Sequence, residues 1–446
     1  MRILHAMLLA ALCCLPVALP AMAADGDADA VATATRLLDH MEAGEYEAAS
    51  ADFSPQMKAA LGVDKLEGVQ QQLAAAGTQT GRDAPQVSQQ SGMTVVVVRV
   101  HRELASVDAT IAIDGDGKVA GLRYAPAAAP APEAAPPEAD AGYQERDFSV
   151  GDGERALPGT LAMPADASAD APVPAVVLVH GSGPHDRDET VGPNRPFLDI
   201  ARGLAAQGIA VLRFDKRTQA RPQDYADGKV TIDSETTDDA VIAVDALRKA
   251  PGVDPARVYV LGHSQGAMMA PRIAAKSGHV AGLVLFAAPA RPMLDIMIEQ
   301  HIRLAVLDDG KTSDEEAAAI ARLKGQVAAV RAGGDVATDA SPLGQPADYW
   351  RSTEAVDPVA EARAVALPML VLQGAQDFQV VDADWQHWKA GFHDDPKVEF
   401  KLYPTLNHLG IAVEGEPGPA QYTQPGHVDT TLIDDVAGWI KAASTD

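Results

Sequence analysis

Two glycines flank a serine, each two positions away, in the segment Gly262-His263-Ser264-Gln265-Gly266. The residues before it, RVYVLGHS, form the apolar run of a buried strand, and those that follow, QGAMMAPRIAAKSG, have the apolar spacing of a helix. Glycine at both positions avoids the clashes that side chains would cause in so sharp a turn. The segment predicts a strand–turn–helix unit that presents the Ser264 hydroxyl group above the carboxyl end of a sheet. The alternative is a plain tight turn.

Residues 143–446 alternate apolar strand patterns with helical patterns, and the strands include PAVVLVHGSG, IAVLRFDKR, VAGLVLFAAPA, LPMLVLQGAQD and VEFKLYPTLNH. This alternation is typical of a mainly parallel sheet with helices on both faces, so we expect an α/β fold. Residues 291–357 interrupt the rhythm with helical patterns and contain a candidate capping box, SDEE, at 313–316. We expect this insertion to form a helical cap over the sheet edge.

A smaller unit precedes this region. Residues 24–125 have helical spacing first and then strand patterns in MTVVVVRVHRE, SVDATIAI and KVAGLRY, which predicts a small α+β domain. The tetrapeptide Asp-Gly-Asp-Gly at 114–117 lacks the other ligands of a calcium loop, so we expect a hairpin turn there. Residues 126–142 are rich in Pro and Ala and predict an extended linker. No cluster in the small domain indicates catalysis, and we expect an accessory role.

The first residues, 1–23, have the pattern of a secretory signal peptide. Arg2 precedes an apolar stretch too short for a membrane span, and Ala21-Met22-Ala23 is a small-x-small cleavage site. A buried N-terminal helix is the alternative. Both cysteines, Cys13 and Cys14, lie in this segment, so we expect a mature chain without disulfides or thiolate metal sites. A lipid anchor on Cys13 is disfavoured because no small residue stands directly before it. We expect a periplasmic or secreted protein.

The charge balance argues against two classes of partner. Lys and Arg total 36 against 62 for Asp and Glu, which gives a formal net charge of -26. So much negative charge repels phosphate backbones and anionic lipid headgroups. We therefore expect a small-molecule substrate and no nucleic acid, and no stretch beyond the N-terminal segment is long and apolar enough to span a membrane. The sequence predicts no oligomeric state.

A serine hydroxyl group is a weak nucleophile at neutral pH and needs an adjacent base. In strand–turn–helix sites of this type the chain order is serine, then acid, then histidine. His408 lies in LYPTLNHLG, directly after a strand pattern and before the last helix. We therefore expect His408 on a loop at the carboxyl edge of the sheet, as the base. His427, which is also late in the chain, is the alternative.

The base needs an acid that orients its imidazole ring. Asp377 ends the segment VLQGAQD, directly after the preceding strand pattern, and is the candidate acid. Asp382 and Asp384 follow shortly afterwards. Their simpler role is to place negative charge at a helix N-terminus, where the helix dipole favours it.

Acyl transfer also needs hydrogen-bond donors for the oxyanion. The backbone N–H of Gln265 is one candidate, because it directly follows the nucleophile. The other is the backbone N–H of Ser182, in the glycine-rich run His180-Gly181-Ser182-Gly183 after an earlier strand. Loss of one such donor typically costs about 2.7–4 kcal/mol of transition-state stabilisation. We expect His180 to hold this loop through a hydrogen bond, with a second catalytic base as the alternative.

The segments VVLVHGSG, GHSQGA, QGAQD and NHLG, in this order, resemble the α/β-hydrolase superfamily. Within it, the region from about 143 to 446 is similar to bacterial esterases of the dienelactone-hydrolase-like and serine-aminopeptidase-like group, several of which carry a small N-terminal α+β domain. The resemblance implies the α/β-hydrolase fold. The group often has Asp-Lys-Arg-Gly where this chain has Asp-Lys-Arg-Thr at 215–218, a change expected to affect the loop beside the site. We expect Asp215 and Arg217 to hold that loop. HDRDE, at 185–189, either shapes the pocket or is a solvated run of charges.

Three hypotheses for function follow. The first is a serine hydrolase that cleaves carboxylic esters with Ser264, His408 and Asp377 through an acyl-enzyme, without a metal or organic cofactor. The second is a peptidase of the same fold, since the three residues are common to both. The third is a binding protein whose hydrolase domain has lost its activity, for which these residues offer no support.

Overall fold

The computed structural model describes residues 25–74, 77–90, 93–102, 106–126, 141–225, 228–307 and 310–443. The chain divides into two compact units, Met1–Ala129 and Pro130–Asp446. Each unit has hydrophobic clusters made from its own residues. The predicted signal peptide, both cysteines and most of the predicted linker lie outside the described residues and stay predictions.

The N-terminal unit packs helices against an antiparallel sheet. Its described helices are α1 (Asp25–Ala43), α2 (Tyr46–Ala49), α3 (Pro55–Ala60) and α4 (Val63–Ala74), and its strands are β1 (Gln79–Arg82), β2 (Gln86–Gln90), β3 (Met93–Arg102), β4 (Ser106–Ile113) and β5 (Val119–Pro126). The buried side chains of Val96, Val98 and Val100 follow the period of two that a strand requires. They belong to one cluster with Leu37 of α1, so a single core joins sheet and helices. The expected α+β domain is confirmed.

Two strands of this sheet are not predicted by the sequence. Strands β1 (QTGR) and β2 (QVSQQ) both pair antiparallel with β3 but lack an apolar alternation. The expected hairpin at 114–117 is confirmed, because it joins the antiparallel strands β4 and β5. There Asp114 Oδ1 accepts the backbone N–H groups of Asp116 at 3.0 Å and of Lys118 at 2.9 Å, as turn aspartates do.

The second unit is built on a mostly parallel sheet. Its described strands are β6 (Tyr143–Val150), β7 (Leu157–Pro164), β8 (Val173–Val179), β9 (Ala210–Phe214), β10 (Val253–His263), β11 (Leu283–Phe286), β12 (Met369–Gly374) and β13 (Val398–Tyr403). Their order across the sheet is β13-β12-β11-β10-β8-β9-β7-β6. Strands β8 to β13 run parallel, and β6 and β7 complete one side in antiparallel pairing. The carboxyl ends of β8, β10, β12 and β13 therefore share one edge.

Helices cover both faces of this sheet, as the runs of buried residues in its central strands require. Along β8, Val177 and Val179 belong to one hydrophobic cluster, whereas Val176 and Leu178 belong to another on the opposite face. The α/β-hydrolase fold expected from the sequence is confirmed. The described α-helices are α5 (Pro196–Ala205), α6 (Arg217–Ala220), α7 (Asp238–Leu247), α8 (Gln265–Ser277), α9 (Met293–Leu304), α10 (Asp314–Ala332), α11 (Ala347–Glu354), α12 (Pro358–Val365), α13 (Asp382–Phe392) and α14 (Thr430–Ala442).

The insertion between β11 and β12 is helical, as expected, and contains α9 to α12 with short 3₁₀ turns between α10 and α11. The capping box at the start of α10 is present: Ser313 Oγ accepts the N–H of Glu316, and Glu316 accepts the N–H of Ser313. Among the described residues, no helix combines the length and apolarity needed to cross a membrane.

The turn between β10 and α8 packs against neighbouring backbone. A Cβ atom at Gly266 would overlap the carbonyl oxygens of Val179 and His180, at the end of β8. A Cβ atom at Gly262 would overlap the backbone of Gly266 itself. Because these obstacles are backbone atoms of central elements, they cannot rotate aside as a side chain can. Both glycines are therefore required by close approach.

We predict that Gly266→Ala destabilises the protein by about 3 kcal/mol or more, because the new methyl group must displace the end of β8. Urea unfolding followed by tryptophan fluorescence measures the loss. Gly325→Ala is the matched control, since Gly325 lies in α10 and a Cβ atom there meets nothing within 4 Å. This variant should gain about 0.5–1 kcal/mol. Equal stabilities for Gly266→Ala and the wild type would contradict the packing described here.

Candidate active site

Ser264 is the residue between β10 and α8, and its backbone is strained. Its φ of 53° and ψ of -121° lie where a residue with a side chain rarely occurs, at a cost of order 1–3 kcal/mol. The surrounding structure holds this conformation: Ser264 N donates to Phe286 O at 2.9 Å, and Ser264 O accepts from Met268 N at 3.0 Å. The serine is partly exposed, whereas the residues on both sides of it are buried.

The structure brings Asp377 and His408 together on the loops that follow β12 and β13. His408 Nδ1 donates to Asp377 Oδ2 at 2.7 Å, and both side chains are buried. The other carboxylate oxygen of Asp377 accepts the N–H groups of Gln379 and Val380, at 2.8 and 3.0 Å. With its proton on Nδ1, the ring presents Nε2 as the acceptor for a nearby hydroxyl group.

His263 connects this pair to the neighbourhood of Ser264. Its Nε2 donates to the backbone oxygen of His408 at 2.8 Å, and the two rings lie 4.6 Å apart, centroid to centroid. Since His263 directly precedes Ser264, these contacts tie the loop of His408 to the turn that carries the serine. The sequence analysis did not identify this role, because a histidine within GxSxG has no partner visible along the chain.

His263 and Glu189 form a buried charged pair. Glu189 Oε2 accepts from His263 Nδ1 at 2.9 Å, so both ring nitrogens of His263 face oxygen acceptors and both carry a proton. Burial opposes ionisation of Glu189, but the nearby imidazolium of His263 outweighs it and lowers the pKa of Glu189 to about 2. Burial likewise opposes the charge on His263, yet the Glu189 carboxylate raises the pKa of His263 above its usual value.

The glycine-rich loop after β8 lies next to Ser264. A Cβ atom at Gly181 would be 3.3 Å from Ser264 Cβ. The backbone N–H of Gly181 donates to Glu189 Oε1 at 2.6 Å, and its carbonyl accepts from Lys216 Nζ at 2.8 Å. His180 Nε2 donates to the backbone oxygen of Asp186 at 3.0 Å, the loop-holding contact that the sequence predicts. Burial lowers the pKa of His180 to about 3, which keeps its ring neutral.

HDRDE, at 185–189, is not a solvated run of charges, because its residues are buried or partly buried and Glu189 binds His263 and Gly181. Glu189 is only 1% exposed, and Asp186 accepts the N–H groups of Asp188 and Thr190. Arg187 forms two hydrogen bonds to Asp215, at 2.9 and 3.0 Å. Asp215 thus holds the loop, as expected.

Arg217 holds the loop as well, through Asp239 at 2.6 and 2.9 Å and Asp224 at 2.7 Å. These contacts tie the segment after β9 to helix α7 and to the loop between them. The Thr that replaces the more usual Gly at position 218 lies within the short helix α6.

A second buried charged pair, Lys216 and Glu235, lies beside the glycine-rich loop after β8 and contacts the helical insertion. Lys216 Nζ contacts Glu235 Oε1 at 2.9 Å, and both side chains are buried. Glu235 Oε2 accepts from Gln265 Nε2 at 3.0 Å and from the hydroxyl group of Tyr349, on α11, at 2.8 Å. Burial and the adjacent Glu235 carboxylate raise the pKa of Tyr349 well above its usual value, so this phenol stays protonated. The sequence analysis found none of Lys216, Glu235 and Tyr349.

The alternative residues lie elsewhere. The ring of His427 is exposed and contacts Asp199 at 3.1 Å. Asp382 stands in the first turn of α13 and accepts from Gln386. Asp384 is fully buried and binds Arg291 at 2.8 Å, which ties the start of the insertion to α13. Within the described part of the chain, no group of three or more His, Cys, Asp or Glu side chains could hold a metal ion.

The Glu189–His263 pair predicts a pH-dependent stability. Because the pKa of Glu189 is lowered from 4.5 to about 2 on folding, its contribution is fully present above pH 4.5 and is lost as the pH falls towards 2. Because the pKa of His263 is raised above 6.5, its contribution is present below pH 6.5 and is lost as the pH rises through the folded-state value. The pair therefore contributes most between pH 4.5 and 6.5.

We expect Glu189→Gln to lower the free energy of unfolding by about 3–5 kcal/mol near pH 6, because it leaves a buried charge unpaired. The difference from the wild type should shrink on both sides of this window. Denaturant unfolding between pH 3 and 9 measures it, and Glu154→Gln, at an exposed carboxylate, is the control. A difference that does not depend on pH would contradict the charged pair.

Comparisons with known proteins agree with this architecture. A model of the family described as "Serine aminopeptidase, S33" matches residues 170–414, which is more than half of the chain. In the N-terminal unit, residues 34–122 match a family described as a protein of unknown function, DUF3887. Esterase EstD of Thermotoga maritima is 34% identical over 407 residues, which cover 90% of this chain and 93% of that protein.

Two solved structures share a more distant likeness. Est1E from Butyrivibrio proteoclasticus is 16% identical and aligns over 67% of this chain and 99% of its own, with a TM-score of 0.43. A puromycin-hydrolyzing peptidase from Mycobacterium tuberculosis is 17% identical and aligns over 80% of this chain and 47% of its own, with a TM-score of 0.45. From its sheet order, its strand–turn–helix unit at Ser264 and the family and EstD matches, the chain belongs to the serine aminopeptidase S33 family of α/β hydrolases.

Proposed function

We propose that this α/β hydrolase cleaves carboxylic esters through a serine triad and an acyl-enzyme intermediate. The observation that carries the proposal is the buried pair of Asp377 and His408, 2.7 Å apart, whose loop is bound by His263, the residue directly before the strained Ser264. The similarity to an esterase over most of both chains supports ester substrates.

The chemistry assigns one role to each residue. Ser264 Oγ attacks the ester carbonyl carbon while His408 Nε2 takes its proton, and the same ring then returns the proton to the leaving alcohol. Asp377 keeps the proton of His408 on Nδ1 and stabilises the imidazolium that forms. Water then attacks the acyl-enzyme with His408 as the base. The hydrogen bonds from Gln379 and Val380 keep the Asp377 carboxylate in place throughout.

Two backbone donors stabilise the oxyanion in this proposal. Gln265 is the first residue of α8, and the N–H groups in the first turn of a helix have no partner within the helix. The dipole of α8 adds partial positive charge at the same place. The second donor is the N–H of Ser182. The preceding N–H, of Gly181, is already bound to Glu189, so the next N–H along this loop, that of Ser182, is the proposed donor.

A peptidase of the same fold is the second candidate, and the description of the matching family favours it. An aminopeptidase needs an acidic group that binds the substrate amino terminus. The buried acid next to Gln265 is Glu235, and it is already engaged by Lys216, Gln265 and Tyr349. In the insertion, Arg291 pairs with Asp384 and Glu299. Because these charges are already paired within the protein, they favour ester cleavage over the binding of a substrate amino terminus.

We predict that a fluorophosphonate probe labels Ser264 in the wild type and that Ser264→Ala and His408→Ala are not labelled, because one lacks the nucleophile and the other its base. Mass mapping of the adduct identifies the site. Turnover of p-nitrophenyl acetate should fall at least about 10,000-fold in both variants. His427→Ala is the control and should react like the wild type, since its ring is exposed and pairs with Asp199. Full activity in Ser264→Ala would exclude the proposed nucleophile.

The two candidate functions make different predictions for substrate choice. The comparison uses one ester bond with and without a charged amino group: leucine ethyl ester against N-acetyl-leucine ethyl ester. We expect the N-acetylated ester to have at least the kcat/KM of the free-amino ester, because Glu235 is already engaged and does not anchor an amino group. A preference of about 100-fold or more for the free-amino ester would select the peptidase instead.

A further inference from the structure

We propose that Lys216 is a positioning residue of the oxyanion hole. Its ammonium group holds the carbonyl oxygen of Gly181 and thereby points the N–H of Ser182 towards the oxyanion before substrate binds. This inference rests on the proposed ester hydrolysis, for which it supplies a residue that the sequence analysis did not identify.

The geometry of one peptide group carries the argument. The carbonyl of Gly181 and the N–H of Ser182 belong to the same planar peptide, and in a trans peptide they point in opposite directions. None of the described peptide bonds is cis. Lys216 Nζ, 2.8 Å from Gly181 O, therefore fixes the direction of the Ser182 N–H on the opposite side.

Such a constraint is needed because the loop is rich in glycine. A glycine rotates freely between conformations that other residues avoid, so the peptide after Gly181 has an accessible flipped orientation. In the flipped state a carbonyl oxygen would face the developing negative charge. Glu189 holds the N–H of Gly181 at 2.6 Å, and Lys216 holds its carbonyl. Both peptide groups of Gly181 are thus fixed by oppositely charged side chains.

The charge on Lys216 adds to the orientation. Hydrogen bonds to an ionised donor are about twice as strong as those between neutral groups. Chained hydrogen bonds also polarise one another, so a cation at the carbonyl makes the N–H of the same peptide a better donor. The Lys216 side chain is 4% exposed, and its proximity to Glu235 at 2.9 Å compensates for its desolvation.

Glu235 links Lys216 and the Gly181 peptide to the other side of the oxyanion hole. Its second oxygen accepts from the side chain of Gln265, whose backbone N–H is the other proposed donor, and from Tyr349 on α11. One carboxylate is therefore connected to both donors, through Lys216 and Gly181 on one side and through Gln265 on the other. Tyr349 brings the helical insertion into the same network.

The test separates positioning from mere structural support. Lys216→Met removes the donor but keeps most of the side-chain length. We expect kcat for p-nitrophenyl acetate, per folded active site, to fall about 100-fold, the loss typical of one oxyanion donor, with KM changed less than about threefold. The inhibition constant of a trifluoromethyl ketone, which forms an oxyanion on Ser264, should rise by a similar factor. Lys276→Met, at a surface lysine paired with Asp233 and Asp238, is the matched control and should keep wild-type values.

A second variant keeps the test decisive if Lys216→Met does not fold. Lys216→Met leaves Glu235 as a buried unpaired charge, so we include the double variant Lys216→Met/Glu235→Gln, which removes both charges. Because Glu235 also binds Gln265, the double variant is compared with Glu235→Gln alone. A purely structural Lys216 predicts that the double variant recovers stability and has the kcat of Glu235→Gln. A positioning Lys216 predicts recovered stability with a kcat about 100-fold below that of Glu235→Gln. If either variant keeps the wild-type kcat and ketone affinity, and Ser264 is still labelled by the probe, the inference is overturned and the proposed function stands. A wild type that neither hydrolyses the ester nor binds the ketone would instead remove the proposed function and the inference with it.

Discussion

The close packing of the turn after β10 against the end of β8 is the contact on which the rest of the site depends. Gly266 lies so near the carbonyl groups of Val179 and His180 that no side chain fits. This contact fixes the start of α8 over the sheet and leaves Ser264 in a conformation that a free chain would abandon. The parallel pairing of β10 with β8 and β11 supplies the rigidity that holds it.

Around this turn, loops are held in place by buried charges. Glu189 and His263 form one pair and Lys216 and Glu235 the other, and each pair also binds backbone groups. Isolated charges would be too costly to bury, but paired and hydrogen-bonded ones are tolerated. Since a hydrophobic contact has no direction, it cannot orient a peptide group. The charged pairs can orient a peptide group. This explains why polar side chains occupy positions where burial of apolar ones would cost less free energy.

Sequence patterns predicted the parts of the fold in which local periodicity and burial agree. The apolar runs of β8 and β12 and the glycines around Ser264 are readable because neighbours along the chain create the signal. Strands β1 and β2 were missed because their polar residues gain strand structure only from pairing with β3. The order of Ser264, Asp377 and His408 was readable from the strand ends that carry them, and the structure brings Asp377 and His408 into contact.

The sequence by itself determined the class of fold, the strand–turn–helix unit at Ser264 and the candidate residues at the carboxyl ends of parallel strands, because strand and helix periods and glycine requirements are local. Only the tertiary structure decided that Glu189 is buried against His263, that Lys216 binds the carbonyl of Gly181, and that Tyr349 reaches Glu235 from 114 residues away along the chain. Whether a charged side chain is solvated or buried depends on what packs over it. The fold determines which residue packs over the charged side chain, and this contact leaves no periodic signal in the sequence.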